Sequence, residues 1–81
     1  MFYAERIKAI LEEKLPECIA IVIDDVGDNE HFTARVVSTA FDGKSLVAQH
    51  QLVYGALGDH MKSDIHALAL KTFKPSDWTG E

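Results

Sequence analysis

Thiols are nearly absent: Cys18 is the single cysteine among 81 residues. An internal disulfide is excluded, and with it any need for an oxidising compartment. One thiolate is also too few for a self-contained iron–sulfur cluster, and a closed structural zinc site needs four ligands. Long apolar runs are missing as well. The longest, Cys18 to Ile23, falls far short of the roughly 20 residues that span a bilayer. The opening Met-Phe-Tyr-Ala-Glu-Arg has no charged segment followed by an apolar one, so the expectation is a cytoplasmic protein with no membrane role. Cations are in the minority, 8 Lys and Arg against 13 Asp and Glu, for a net charge of −5. That balance weighs against indiscriminate binding to nucleic acid or anionic lipid. No phosphate-binding glycine loop is present. The length fits one domain covering residues 1–81, without repeats or linkers.

Hydrophobic periodicity supplies the elements. Tyr3, Ile7, Ile10, Leu11 and Leu15 recur at helical spacing with charges between them, and Pro16 stops the pattern. Cys18–Ile23 reads as a strand with both faces partly covered. A polar turn through Asp24, Asp25, Gly27, Asp28 and Asn29 leads to a second strand from about His31 to Thr39, forming an antiparallel hairpin. In that strand Phe32, Ala34 and Val36 share one face; Thr33, Arg35 and Val37 share the other. Ser45 is a candidate N-cap for a helix whose apolar stripe is Leu46, His50, Val53 and Leu57, flanked by Val47 and Tyr54. Gly55 and Gly58 weaken or end it, and a short segment runs on to about Lys62. Ile65–Phe73 reads as a third strand, and Pro75 opens a terminal helical turn from which Trp78 packs back. The order is α-β-β-α-α-β-α. The expected fold class is α+β, a three-stranded sheet covered by helices on one face.

The chemistry-bearing residues are few. None of the four histidines has a histidine partner at i,i+4. His50 sits on the helix stripe and reads as partly buried and hydrogen-bonded; His60, near a helix end, reads as solvated. Cys18 opens an apolar strand and reads as a buried, inert thiol. Ser63, Asp64 and His66 are close along the chain, but a catalytic triad is defined by geometry rather than proximity, and no enzyme is inferred. Gly55-Ala56-Leu57-Gly58 spells G-x-x-G, the pattern of a backbone clamp for nucleic acid. Lys44 and Lys62 are the accompanying basic candidates. Asp59 opposes phosphate, and Leu57 fits the core, so the plainer reading is a helix end capped by Gly58.

The ordered series His31-Phe32, Val36-Val37-Ser38, Phe41, Gly43-Lys44-Ser45, His50, Val53-Tyr54, Leu57, His66-Ala67-Leu68, Thr72 and Trp78 resembles the BolA-like proteins across most of the chain. The resemblance implies a fold similar to the class II KH domain. It also implies pairing with a monothiol glutaredoxin around a bridged 2Fe–2S cluster completed with glutathione, in iron–sulfur trafficking and iron regulation. No cluster is expected in the isolated chain, which is expected to be a monomer or a weak homodimer. The family's most constant histidine falls on His66. Its second ligand position, a Cys or His in the loop between strands one and two, falls on His31. Some members are described as DNA-binding regulators, so a KH-like nucleic-acid function through Lys44, Gly55, Gly58 and Lys62 is the alternative. Two departures stand out: Gln49 precedes His50 where many members have Arg, and Lys74 precedes the final proline where many have Thr. An imidazole ligand is neutral where a thiolate is anionic, and protonation displaces it, so one such side makes a cluster easier to release.

Overall fold

The computed structural model describes residues 3–27, 31–63, 65 and 67–78, with the backbone alone for Lys62 and Ser63. Helix α1 (Ala4–Lys14) buries Ile7, Ile10 and Leu11, and Leu15 follows into the same core. Tyr3, expected on that stripe, instead stands at the N-cap and is exposed. Strands β1 (Ile19–Asp24) and β2 (His31–Val37) are followed by a 3₁₀ turn at Thr39–Phe41, helices α2 (Leu46–Leu57) and α3 (His60–Ser63), and strand β3 (Ala67–Phe73). The chain then makes the expected terminal helical turn at Pro75–Asp77, wound as 3₁₀. Its bonds, Asp77 N–H to Lys74 C=O and Trp78 N–H to Pro75 C=O, span three residues rather than four. Trp78 does pack back, its ring 5.1 Å from that of Phe73.

The sheet order is β1-β2-β3, with β2 central. It pairs antiparallel with β1, Ala20 opposite Val36 and Asp24 opposite Phe32. It pairs parallel with β3, His31 opposite Ala67 and Val37 opposite Phe73. A parallel neighbour needs a crossover, and the α2–α3 segment supplies it. Phe32, Ala34 and Val36 are fully buried beneath the helices, together with Ala20 and with Phe41 from the turn. The opposite face is more open than the run of aliphatics in β1 suggested. Ile19 and Ile23 are about half exposed, because the helices cover one face of the sheet only. Val37 is buried although it belongs to that face by alternation; it lies in one row with Ile19 and Phe73, on which Trp78 is stacked.

The two edges of this sheet differ. Along β1, Ala20 turns its backbone outward, where the Lys8 ammonium donates to its carbonyl at 2.9 Å and the Glu12 carboxylate accepts from its N–H at 3.3 Å. Lys8 and Glu12, one helical turn apart, are themselves joined at 2.7 Å. A charged pair on α1 thus occupies the bonding positions that an incoming strand would need. The Lys8 hydrogen bond, then that of the Ala20 N–H, holds the Glu12 carboxyl below the usual glutamate range.

Helix α2 keeps Val53 and Leu57 of the expected stripe, with His50 partly buried, but buries Gln49 in place of Leu46 at its start. Its buried positions are Gln49, Val53 and Leu57, whereas Leu46 and Val47 are largely exposed and Tyr54 is exposed at its edge. A hydrophobic pattern cannot anticipate a buried amide. The Gln49 side chain donates to the Lys44 carbonyl at 2.9 Å and accepts from the Thr72 hydroxyl at 2.6 Å, tying the helix entry to β3. Ser45 caps the helix as expected, accepting from the Ala48 N–H. Ser38, fully buried, donates to the Pro16 carbonyl at 2.6 Å and accepts from the Ala40 N–H, joining the end of β2 to the exit of α1.

Two outcomes follow from these bonds. Thr72→Val keeps the volume but strands the Gln49 carbonyl, and urea denaturation should show a loss of about 1–2 kcal/mol. Glu12→Gln should reduce stability by less than about 1 kcal/mol at neutral pH, since the pair is largely solvated. A lowered folded-state pKa contributes stability above the ordinary carboxyl range and loses it as pH falls through the depressed value. The wild-type advantage over Glu12→Gln should therefore shrink on acidification from pH 7 to about pH 3, below the ordinary glutamate pKa of about 4.3.

Candidate metal-ligand site

His31 is the first residue of β2 and is exposed. The turn before it is held from both sides. The Gly27 N–H donates to Asp24 Oδ1 at 3.1 Å, and Gly27 itself takes a φ of +75° that other residues rarely adopt. The Thr33 hydroxyl donates to both oxygens of Asp25 at 2.8 and 2.9 Å, and the Asp25 N–H donates to the His31 carbonyl at 3.0 Å. These bonds fix the backbone from which the imidazole projects. The parallel register then sets His31 opposite Ala67, the residue that follows His66 in the chain. His66 itself lies outside the described residues, as do Asp28, Asn29 and Glu30 of the turn.

The other candidates are dispersed. His50 is half-buried on α2 with its ring edge-on to Tyr54, and His60 begins α3. Among the described residues no three His, Cys, Asp or Glu side chains converge as a metal-binding group. Cys18 is half-buried just before β1, and burial, with the Glu12 charge adding to it, pushes its thiol up to about 11. At neutral pH it is neither nucleophile nor ready ligand.

The G-x-x-G segment is the last turn of α2. Leu57 is buried in the core, and Gly58, at φ +57°, caps the helix through its N–H to the Tyr54 carbonyl. Gly55 lies within the helix, exposed and with open space where a Cβ would stand. Lys44 precedes the other end of the same helix, on the order of 18 Å away for twelve residues at 1.5 Å each. The four residues of the nucleic-acid alternative are therefore not gathered at one point. Lys62 belongs to α3, but its side chain lies outside the described residues. Beside Gly58 a cleft of about 460 Å³ runs between α1 and the end of α2. Arg6 and Lys14 line it, but so do Glu13 and Asp59.

A small α+β chain with a hairpin histidine beside the start of a parallel third strand is the class these features define. Residues 11–77 match the family model described as BolA-like protein, and the chain belongs to that family. A bolA protein homologue from Coxiella burnetii has a similar structure, with a TM-score of 0.80 and 44% identity over 94% of this chain and 95% of that one. The BolA domain of SufE1 from Arabidopsis thaliana gives 0.79 and 39%, covering 93% and 94%. The match to full-length SufE-like protein 1 spans 16% of that longer protein. The DNA-binding transcriptional regulator BolA of Escherichia coli is 29% identical over 87 aligned positions, covering 99% of this chain and 83% of that protein.

Sequence reasoning found the capping role of Gly58. It missed the Asp25–Thr33 brace, whose signal was a carboxylate and a β-branched hydroxyl facing one another across the hairpin. It also missed the Gln49 clamp, for which an apolar pattern holds no signal.

With its pKa near 11, Cys18 should alkylate at pH 8 roughly 20-fold more slowly than a free thiol of pKa about 8.5, its roughly 240-fold smaller thiolate fraction being partly offset by the higher nucleophilicity of a more basic thiolate. Iodoacetamide labelling followed by mass spectrometry measures this. In Glu12→Gln the rate should rise, because a charge that raises the thiol pKa is removed.

Proposed function

We propose that this chain is an accessory protein in iron–sulfur cluster handling. It would pair with a monothiol glutaredoxin and share a bridged 2Fe–2S cluster, with glutathione completing the sulfur ligands. His66 is the principal ligand in this reading and His31 the second. Membership of the BolA-like family supports it. The observation that carries it furthest is the register that sets His31 beside Ala67, next in the chain to His66. One half-buried thiol with a raised pKa leaves the sulfur ligands to a partner. The chain acts here by binding and ligation, without catalysis of its own. Among the described residues no helix is long and apolar enough to cross a membrane.

The name of the Escherichia coli relative supports a second reading, a DNA-binding regulator. The net charge of −5 and the mixed charges around Gly58 weigh against it.

The test is to combine the chain with a monothiol glutaredoxin, iron, sulfide and glutathione, and to record visible absorption and circular dichroism. A spectrum distinct from that of the glutaredoxin homodimer is expected. His66→Ala should change it and shorten the cluster's lifetime by at least the roughly tenfold seen when outer-shell groups of metal sites are removed. His31→Ala should produce a smaller change of the same kind. A spectrum indifferent to the added chain would sink this reading. Salt-sensitive binding of a defined duplex, lost on Lys44→Glu, would then favour the regulator.

A further inference from the structure

The sheet has two outer edges, and they are not equivalent. The β1 edge is occupied by the Lys8–Glu12 pair bonded to Ala20. Among the described residues the β3 edge has no strand beside it. Along it runs a groove of about 250 Å³ lined by Leu46, His50 and the four consecutive β3 residues Leu70–Phe73. A void that touches consecutive strand residues follows the strand's edge, since one face alone would contribute every second residue. The Phe73 carbonyl accepts from the Ser38 N–H across the β2 side. By alternation the backbone groups of Leu70 and Thr72 turn outward, towards the groove.

The two faces flanking this edge differ in chemistry. On the helix side are Leu70 and Leu46, the latter 61% exposed at the start of α2 and apolar without being part of the core. On the open side Lys71 is exposed, and its register partner on β2 is Arg35. Lys71 thus stands beside a second basic residue on this face of a chain of net charge −5. A strand laid along β3 alternates its side chains between these same two faces. The surface therefore matches a sequence with apolar residues at every second position, directed at Leu46 and Leu70, and acidic residues between them, directed at Lys71. A second copy of this chain fits less well, because pairing β3 with β3 would bring lysines of both copies to the same seam.

We propose that the β3 edge is a strand-addition site for an extended segment of a partner protein in which apolar and acidic residues alternate. Main-chain hydrogen bonds to Leu70 and Thr72 hold the segment, and the two faces select its pattern. This goes beyond the cluster reading and does not rest on it.

The experiment is an NMR titration of the ¹⁵N-labelled chain with an acetylated heptapeptide of alternating glutamate and valine. The controls are a lysine–valine peptide and a glutamate–valine peptide of the same composition in blocks. Saturable shifts should appear at Leu70–Phe73, Leu46 and His50, with a Kd below about 1 mM, and the amides of Leu70 and Thr72 should gain protection from hydrogen exchange. The lysine peptide should bind at least fivefold more weakly. Lys71→Glu should reverse that preference, and Leu46→Glu should abolish saturation with the rest of the spectrum unchanged. Absence of saturation at millimolar peptide would overturn the proposal. So would shifts centred on β1, equal binding of the block peptide, or concentration-dependent shifts of β3 in the chain alone, which would assign the edge to self-association. No metal or glutaredoxin is present, so failure here leaves the cluster reading untouched, and the reverse holds.

Discussion

The register of β2 is the constraint on which the rest of the molecule depends. Phe32, Ala34 and Val36 must all face the helices, and a slip of one residue would turn the three of them to solvent. Both neighbours take their alignment from this strand, β1 antiparallel and β3 parallel. That alignment brings His31 level with Ala67 and Arg35 level with Lys71. It also leaves β1 and β3 as the edges, one closed by side chains of α1 and one bordered by a groove. The candidate ligand and the proposed docking edge are thus consequences of one buried alternation.

Most of the element order was legible because it rests on apolar periodicity. The stripe Ile7–Ile10–Leu11–Leu15, the alternation in β2, the Ser45 cap and the Gly58 stop each use a local signal, and each appears in the structure. Much of what the sequence concealed lies in polar side chains acting at long range. Gln49 is buried because two hydrogen bonds satisfy its amide, and periodicity has no symbol for that. The stripe on α2 accordingly held at Val53 and Leu57 and failed at Leu46, whose place in the core Gln49 takes. The terminal helical turn is present at Pro75, wound as 3₁₀ rather than α. The parallel pairing of β3 follows from a crossover connection, not from any residue within the strand.

The site was legible in part. The proposed ligand His31 came from a resemblance, and the structure adds that it opens a strand whose hairpin is braced by Asp25 and Thr33. Nothing local marked Lys8 and Glu12 as more than a solvated pair, yet they close the β1 edge and bear on the Cys18 thiol. The proposed ligand end of the sheet, at the start of β2 and β3, and the groove towards the end of β3 are spatially separate. The two proposals therefore do not compete for one surface.

The central claim is that an imidazole of this chain enters the coordination sphere of a cluster shared with a monothiol glutaredoxin. The most direct measurement is pulsed electron–nuclear double resonance on the reduced mixed complex, with ¹⁵N-histidine in this chain only. A large ¹⁵N coupling, of the kind seen for nitrogen bound to iron, is predicted. Couplings no stronger than those of distant backbone nitrogens would contradict the account.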